Sequence, residues 1–187
     1  MMAARGFAQV LNDAMILLFY SPAYSNLGTY RINGSVPIQL VFILIALVIV
    51  LFLVKKTTFG RYIQALGDNP IAARLSGVNV FWTIILVYVI SSVLAGFAGI
   101  IETAKISAAD GNAIGNLAEL DAIAAVAVGG TPLSGGKAKV MGTVVGALIM
   151  QLITISVNMN NIPFEYARVI KSAIIITAVY LQRDKNR

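Results

Sequence analysis

The chain has 187 residues, of which 58% are hydrophobic and 12% charged, and because soluble domains run nearer half apolar and a quarter charged, this is the composition of a membrane protein. Cysteine and histidine are both absent, which excludes disulfides, thiolate nucleophiles, zinc sites built from those ligands and imidazole acid–base chemistry, so we expect no enzyme, cofactor or metal site. The net charge is +6, and we expect the distribution of the basic residues between loops to indicate the membrane topology. We expect no nucleic-acid partner.

The chain begins with an apolar stretch, Met1 to Tyr20, that contains Arg5, Asn12 and Asp13. These polar residues fit the outer end of a helix better than a complete membrane span. The stretch lacks the charged start and the cleavage site of a signal peptide, so we expect none.

Four longer segments predict membrane-spanning helices. Val36 to Val54 and Phe81 to Ile101 are uncharged and long enough to cross a hydrocarbon core of about 30 Å. Val140 to Val157 and Ala167 to Leu181 are two further candidates. The last contains Lys171, which we expect to snorkel toward a membrane interface.

A shorter apolar segment, Leu117 to Val128, carries Glu119 and Asp121 at its start. It predicts a short or broken span whose end, at Gly129 and Gly130, is enclosed by protein. The whole chain is thus expected to be one membrane-spanning domain, residues 1–187. Its predicted class is all-α, a polytopic transmembrane bundle of about five spans or part-spans with a short cytoplasmic helix.

The basic residues predict the orientation of these spans, because lysine and arginine accumulate in cytoplasmic loops. The remaining connections carry mostly acidic residues and are expected outside, together with Glu102, Glu119 and Asp121, for which surface solvation is the simplest account. The loops alternate between the two sides of the membrane only if Leu117 to Val128 crosses it. The C-terminus is then cytoplasmic. The residues expected on the cytoplasmic side are Lys55, Lys56, Arg61, Arg74, Lys137, Lys139, Arg183, Lys185 and Arg187.

The stretch QALGDNPIAARLSGVN, residues 64–79, predicts a helix from Pro70 to Ser76 between two spans. Asn69 is a strong N-cap, proline is favoured at the first helical position, and Gly77 supplies a left-handed stop. A helix of about two turns is not stable alone in water, so it needs a surface to dock on. That surface is either the membrane interface or a cytoplasmic partner protein.

The side chains of this helix divide into two kinds of surface. Ile71 and Leu75 share a face at i and i+4, and Ala72, Ala73 and Ser76 form a small-residue surface that permits close approach. Ala72-Ala73 followed by Gly77 fits the A-A-x-x-x-G core of the loop by which permease subunits of ABC importers engage their ATP-binding subunits. Ile71 stands where the more general pattern has glutamate.

Two longer stretches resemble the ribose/galactose-type sugar permeases of bacterial ABC importers. They are TTFGRYIQALGDNPIAARLSGVN at Thr57 to Asn79 and ELDAIAAVAVGGTPLSGG at Glu119 to Gly136. Within that family, IETAKISAADGN at Ile101 to Asn112 is most similar to the galactofuranose branch. The resemblance implies a permease subunit that carries a simple sugar by alternating access, without enzymatic activity of its own. It also implies that the residues contacting the ATPase are Asn69, Pro70, Ile71, Ala72, Ala73, Leu75, Ser76 and Gly77.

The resemblance further implies partners and a location. A permease of this kind sits in the bacterial inner membrane with a second permease copy or paralogue, cytoplasmic ATP-binding subunits and an external sugar-binding protein. Members of the family have several more spans before the segment that corresponds to Met1, so this chain resembles only their C-terminal part. We expect a fragment or a truncated gene product, and we do not expect transport by the chain alone.

The segment GGTPLSGGK at Gly129 to Lys137 looks superficially like a phosphate-binding loop. Its spacing is one residue too long, Ala138 replaces the magnesium-binding Ser or Thr, and no strand is predicted before it. We interpret it as a glycine-rich turn. Small-residue stripes at Gly142 to Gly146 and at Ala95 to Gly99 are interpreted as internal helix packing, with a dimer face as the alternative.

Polar residues within spans are candidates for a sugar path, because they are costly unless they face a cavity or another helix. Gln151, Thr154 and Asn158 recur at i, i+3 and i+7 on one face, and Ser91 and Ser92 are weaker candidates because serine can bond its own helix. A helix–helix hydrogen-bonding face is an equal alternative. Two rival functions remain open at this point, an ion-driven secondary transporter and a structural or nonfunctional membrane fragment.

Overall fold

The computed structural model describes residues 2–13, 15–32, 34–111, 113–133, 135–160 and 164–184. Over these residues the fold is helical, with strands of only two residues each, which confirms the predicted all-α class. The elements in chain order are α1 (Met2–Leu11), β1 (Leu17–Leu18), α2 (Pro22–Thr29), β2 (Arg31–Ile32), β3 (Val36–Pro37), α3 (Ile38–Lys56), α4 (Thr58–Asp68), α5 (Pro70–Leu75), α6 (Val80–Ile106), β4 (Ala108–Ala109), α7 (Ala118–Val128), α8 (Val140–Met159) and α9 (Phe164–Asp184).

Three helices of the described part of the chain are long and apolar enough to cross a membrane, namely α3, α6 and α8. They coincide with three of the predicted spans. Helix α9 covers the fourth, but its charged residues keep it out of this set. Helix α7 has 11 residues, which at 1.5 Å per residue makes it about 16 Å long, half of a hydrocarbon core. Its length agrees with the short span predicted there.

The chain divides into two compact units, of which the first comprises Met1–Phe52 and Ile85–Asn116. In this unit α2 lies directly against the end of α6, where a Cβ on Gly28 would collide with the backbone of Lys105. The hydroxyl groups of Tyr24 and Thr103 lie 2.7 Å apart across the same contact. Strand β1 pairs antiparallel with β4, and β2 with β3. Neither α2 nor these short strands were predicted, although Ser21 followed by Pro22 is a helix-start signal for α2.

The second unit comprises Leu53–Ile84 and Leu117–Arg187, and its centre is the packing of α7 on α8. The buried side chains here are mostly small: Ala124, Ala125 and Ala127 on α7 are each at most 5% exposed. A Cβ on Gly142 or Gly146 would collide with carbonyl oxygens of the α7 segment. The two helices therefore meet backbone to backbone, which confirms the predicted packing role of the Gly142–Gly146 stripe.

The same prediction for Ala95–Gly99 has no support among the described residues, and it stays a prediction. A Cβ placed on Gly96 or Gly99 would meet no atom within 4 Å, and Ala95 is exposed. The most apolar stretches of α3 and α6 contain no buried residue, whereas 17% of the residues in the corresponding stretch of α8 are buried. A small-residue stripe permits close packing but cannot specify that a partner helix lies in the same segment of chain.

The expected snorkelling of Lys171 is wrong. Its side chain is only 11% exposed, and its Nζ donates to both carboxylate oxygens of Asp121 at 2.8 Å. Asp121 is half exposed, and its carboxylate ties α7 to α9. The carboxylate gives the ammonium group a direct electrostatic partner within the protein.

Candidate functional site

Helix α5 has both ends closed by the residues that predicted it. The side chain of Asn69 accepts hydrogen bonds from the backbone N–H groups of Ile71 at 3.0 Å and Ala72 at 3.1 Å. At the other end the N–H of Gly77 donates to Arg74 and that of Val78 to Ala73, both at 3.1 Å, which is a Schellman motif. Gly77 has φ of +83°, as this motif requires. The helix ends at Leu75, one residue before the predicted Ser76, which is the C-cap.

The exposure of its side chains shows which side of α5 is buried within the protein. Ala73 is only 4% exposed, whereas Ile71 is 74% and Leu75 85% exposed. Ala72 and Ser76 are exposed as well. The helix thus buries Ala73 and exposes its two large apolar side chains, so no described residue covers the Ile71–Leu75 face.

Helix α4 precedes α5 and was not predicted as a separate element. The Thr57 side chain caps it by accepting from the backbone N–H of Gly60. Asn69 is at once the C-cap of α4 and the N-cap of α5, with extended backbone angles of φ −156° and ψ 105°. The two helices therefore join through one residue. Thr57 was the available signal, because threonine at a helix start is a favoured cap.

The glycine-rich turn after α7 follows a helix and not a strand, which argues against a phosphate-binding loop. Helix α7 closes in another Schellman motif, in which Gly130 with φ of +76° donates to Ala127 at 3.0 Å. The turn is tied across its base, because the Thr131 hydroxyl accepts from the backbone N–H of Lys139 at 3.0 Å. Between these points the chain returns to α8.

The polar stripe on α8 lies beside that helix's packed face. Met150 and Val157 are buried, and the exposed Gln151 and Asn158 each follow one of them. The hydroxyl of Thr154 donates to the carbonyl of Met150 at 3.1 Å, so it bonds its own helix. Gln151 and Asn158 are exposed, and Thr154 is half-buried.

The other two path candidates lie elsewhere. Ser91 and Ser92 are exposed in the middle of α6, which belongs to the first unit at that point. Ser91 and Ser92 thus belong to the first unit, and Gln151, Thr154 and Asn158 belong to the second.

A cavity of about 320 Å³ lies in the first unit, and none of the five path candidates lines it. Its polar side chains already have local partners: the amide of Asn12 donates to the carbonyl of Met15, and Asp110 accepts from the N–H of Ala113 at 3.2 Å. Sequence reasoning missed it because its wall combines α1, β1 and the segment after α6. The lining residues are Ala8, Gln9, Asn12, Met15, Leu17, Thr103, Ala109, Asp110, Gly111 and Ile114.

Comparison with known proteins finds several similar permeases. The chain is 36% identical over 188 residues to the galactofuranose transporter permease protein of Escherichia coli K12, covering 99% of this chain and 54% of that protein. It is 38% identical to the xylose transport system permease protein of the same strain, with 96% and 45% covered. It is 44% identical over 134 residues to that strain's ribose import permease protein, with 72% and 41% covered.

The chain thus spans about half the length of these curated relatives. No solved structure matches it at a significant level. The family profile described as "Branched-chain amino acid transport system / permease component" matches residues 1–179. Because that match covers nearly the whole chain, the protein belongs to this family of transport permease components.

Proposed function

We propose that this chain forms part of the permease subunit of an ATP-binding-cassette importer for a simple sugar. The observation that carries the proposal is α5, a capped helix of six residues whose Ile71 and Leu75 are exposed. Burying a leucine or isoleucine side chain stabilises an interface by about 1.5–3 kcal/mol. Two exposed apolar side chains on so short a helix favour a surface that covers them, and we assign that surface to a protein partner because of the family to which the chain belongs.

The partner at the Ile71–Leu75 face is a cytoplasmic ATP-binding subunit. Basic residues support a cytoplasmic position for α5, for the turn before α8 and for the C-terminus. They are Lys55 and Lys56 at the end of α3, Arg74 in α5, and Lys137 and Lys139 before α8. ATP-driven movement of the ATPases displaces α5, and the attached spans re-orient between outward-open and inward-open states. The permease itself performs no chemical step.

The substrate class rests on the relatives, since the three named above are permeases for galactofuranose, xylose and ribose. Within the path, Gln151 and Asn158 offer amide groups that match sugar hydroxyls, and Thr154, Ser91 and Ser92 offer hydroxyls. The galactofuranose branch is the narrower proposal. The remaining partners are a second permease and an external sugar-binding protein, all assembled at the bacterial inner membrane.

Cysteine cross-linking tests the docking of α5 directly, because the chain has no native cysteine. In the full-length permease, Ala72→Cys and Ser76→Cys are expected to cross-link to a cysteine on the facing surface of the ATP-binding subunit. Ala73→Cys is the matched control, since Ala73 is buried and should react far less. Cross-linked product is measured on denaturing gels. Failure at every exposed position from Pro70 to Gly77 would overturn the docking surface.

The stop of α5 provides a second prediction. Gly77→Val places a β-branched residue at φ of +83° and is expected to weaken the helix end by about 1–2 kcal/mol, lowering sugar uptake per ATP hydrolysed. Gly77→Asn is the matched control, because asparagine tolerates the left-handed region. No atom lies within 4 Å of the added Cβ, so backbone strain alone causes the difference. Equal uptake by both variants would contradict this role.

A further inference from the structure

The end of α4 and the glycine-rich turn meet backbone to backbone at Gly67 and Gly135, with the Asp68 side chain beside Gly136. A Cβ on Gly67 would lie 2.6 Å from the backbone nitrogen of Gly136, and one on Gly135 would collide with the Gly67 carbonyl. A Cβ on Gly136 would lie 2.6 Å from the Asp68 carboxylate. We call this contact of Gly67 with Gly135 and Gly136 the glycine contact. Both of its sides belong to the second unit.

Each side of the glycine contact is attached to an element that matters for transport. On one side, Gly67 is two residues from Asn69, the single-residue joint that starts α5. On the other, the turn is closed by the hydrogen bond between Thr131 and Lys139 and leads into α7 and α8. These two helices also meet backbone to backbone. Backbone contacts have no rotatable side chain that could absorb a displacement, so movement at one side reaches the other.

We propose that the glycine contact transmits the movement of α5 to α7 and α8, and that Gly67 is a positioning residue for coupling ATP hydrolysis to transport. The inference rests on the proposed function and adds the route inside the membrane domain. It predicts that separating the two sides leaves the ATPase attached to α5 but disconnects it from the path.

Gly67→Ala is the most specific variant. Gly67 is helical and does not have a positive φ, so alanine adds one methyl group at the contact without backbone strain. Gly96→Ala is the matched control, because it makes the same change within a helix at a position where the Cβ meets nothing within 4 Å. Both changes are made in the full-length permease, assembled with its ATP-binding subunits in proteoliposomes.

The readout is the amount of sugar transported per ATP hydrolysed, measured per assembled complex. A coupling free energy of about 1.4 kcal/mol corresponds to a tenfold change, and we expect at least a roughly tenfold lower ratio for Gly67→Ala with hydrolysis retained. Gly96→Ala should match the unmodified protein. An unchanged ratio would overturn the inference. If hydrolysis and transport both fall in equal proportion, the contact is purely structural.

Thr131→Val provides a second route if Gly67→Ala assembles poorly. It removes the hydrogen bond that closes the turn while keeping the side-chain shape, so it loosens the glycine contact without adding an atom, and the same ratio should fall. The cross-link from Ser76→Cys to the ATPase separates the two proposals. If the cross-link forms in the otherwise unmodified protein and in the Gly67→Ala and Thr131→Val variants, but the ratio is unchanged, only the glycine contact is refuted. If the cross-link fails to form even in the otherwise unmodified protein, the docking surface itself is refuted.

Discussion

Replacing Gly146 with valine is expected to prevent α7 and α8 from packing together. A Cβ at this position would collide with the carbonyl oxygen of Ala125 and approach the nitrogen of Gly129 to 2.9 Å. Both obstacles are backbone, so no side chain can rotate away. Overpacking of this kind costs about 3 kcal/mol or more when the backbone must move. We expect a large loss of thermal stability in detergent and a shift of the protein into the aggregated fraction.

The matched control is Gly99→Val in α6, where the added Cβ meets no atom within 4 Å. Valine has a better intrinsic helix propensity than glycine, by a few tenths of a kcal/mol, so neither change destabilises its helix by itself. A difference between the two variants therefore measures the packing of α7 on α8. Equal melting temperatures would show that these helices do not approach as closely as the structure indicates.

Much of α5 could be predicted because its signals are local. Asn69, Pro70 and Gly77 act within a few residues of their own position, and capping chemistry depends little on the rest of the fold. The long spans were predictable for a similar reason, since an uncharged run of the right length has few alternatives to a membrane helix. Local signals also made the rejection of a phosphate-binding loop at Gly129 to Lys137 possible.

What the sequence left open depends on contacts between distant segments. The pairing of Lys171 with Asp121 joins residues 50 positions apart, and nothing near Lys171 indicates its partner. The Gly142–Gly146 and Ala95–Gly99 stripes look alike, yet only the first has a neighbour among the described residues. The strands β1 and β4 have two residues each, too few to show an alternating pattern.

The two stretches that resemble sugar permeases were recognised separately, and the structure places them in contact. The first, Thr57 to Asn79, contains α4 and α5, and the second, Glu119 to Gly136, contains α7 and the glycine-rich turn. They meet at the glycine contact, where Gly67 faces Gly135 and Gly136. A requirement for bare backbone on both sides gives a physical reason for glycine in each stretch, and it accounts for the P-loop-like appearance of the second.

The ion pair between α7 and α9 is expected to respond unequally to loss of its two partners. Lys171 is 11% exposed and Asp121 49%. Asp121→Asn leaves a buried ammonium group without its counter-charge, and breaking a buried pair in this way costs about 3 kcal/mol. Lys171→Met leaves a carboxylate that is half exposed and lies in the first turn of α7, where the helix dipole favours negative charge. The Lys171→Met change should therefore lower the free energy of unfolding by only about 1 kcal/mol.

The double variant Asp121→Asn with Lys171→Met supplies the decisive comparison. Because methionine removes the stranded charge, the double variant is expected to be more stable than Asp121→Asn alone, although it carries one more substitution. The free energies of unfolding are measured by denaturant titration in one detergent for all four proteins. A double variant less stable than either single one would mean that the two side chains act independently, and the ion pair would then not be what holds α9 against α7.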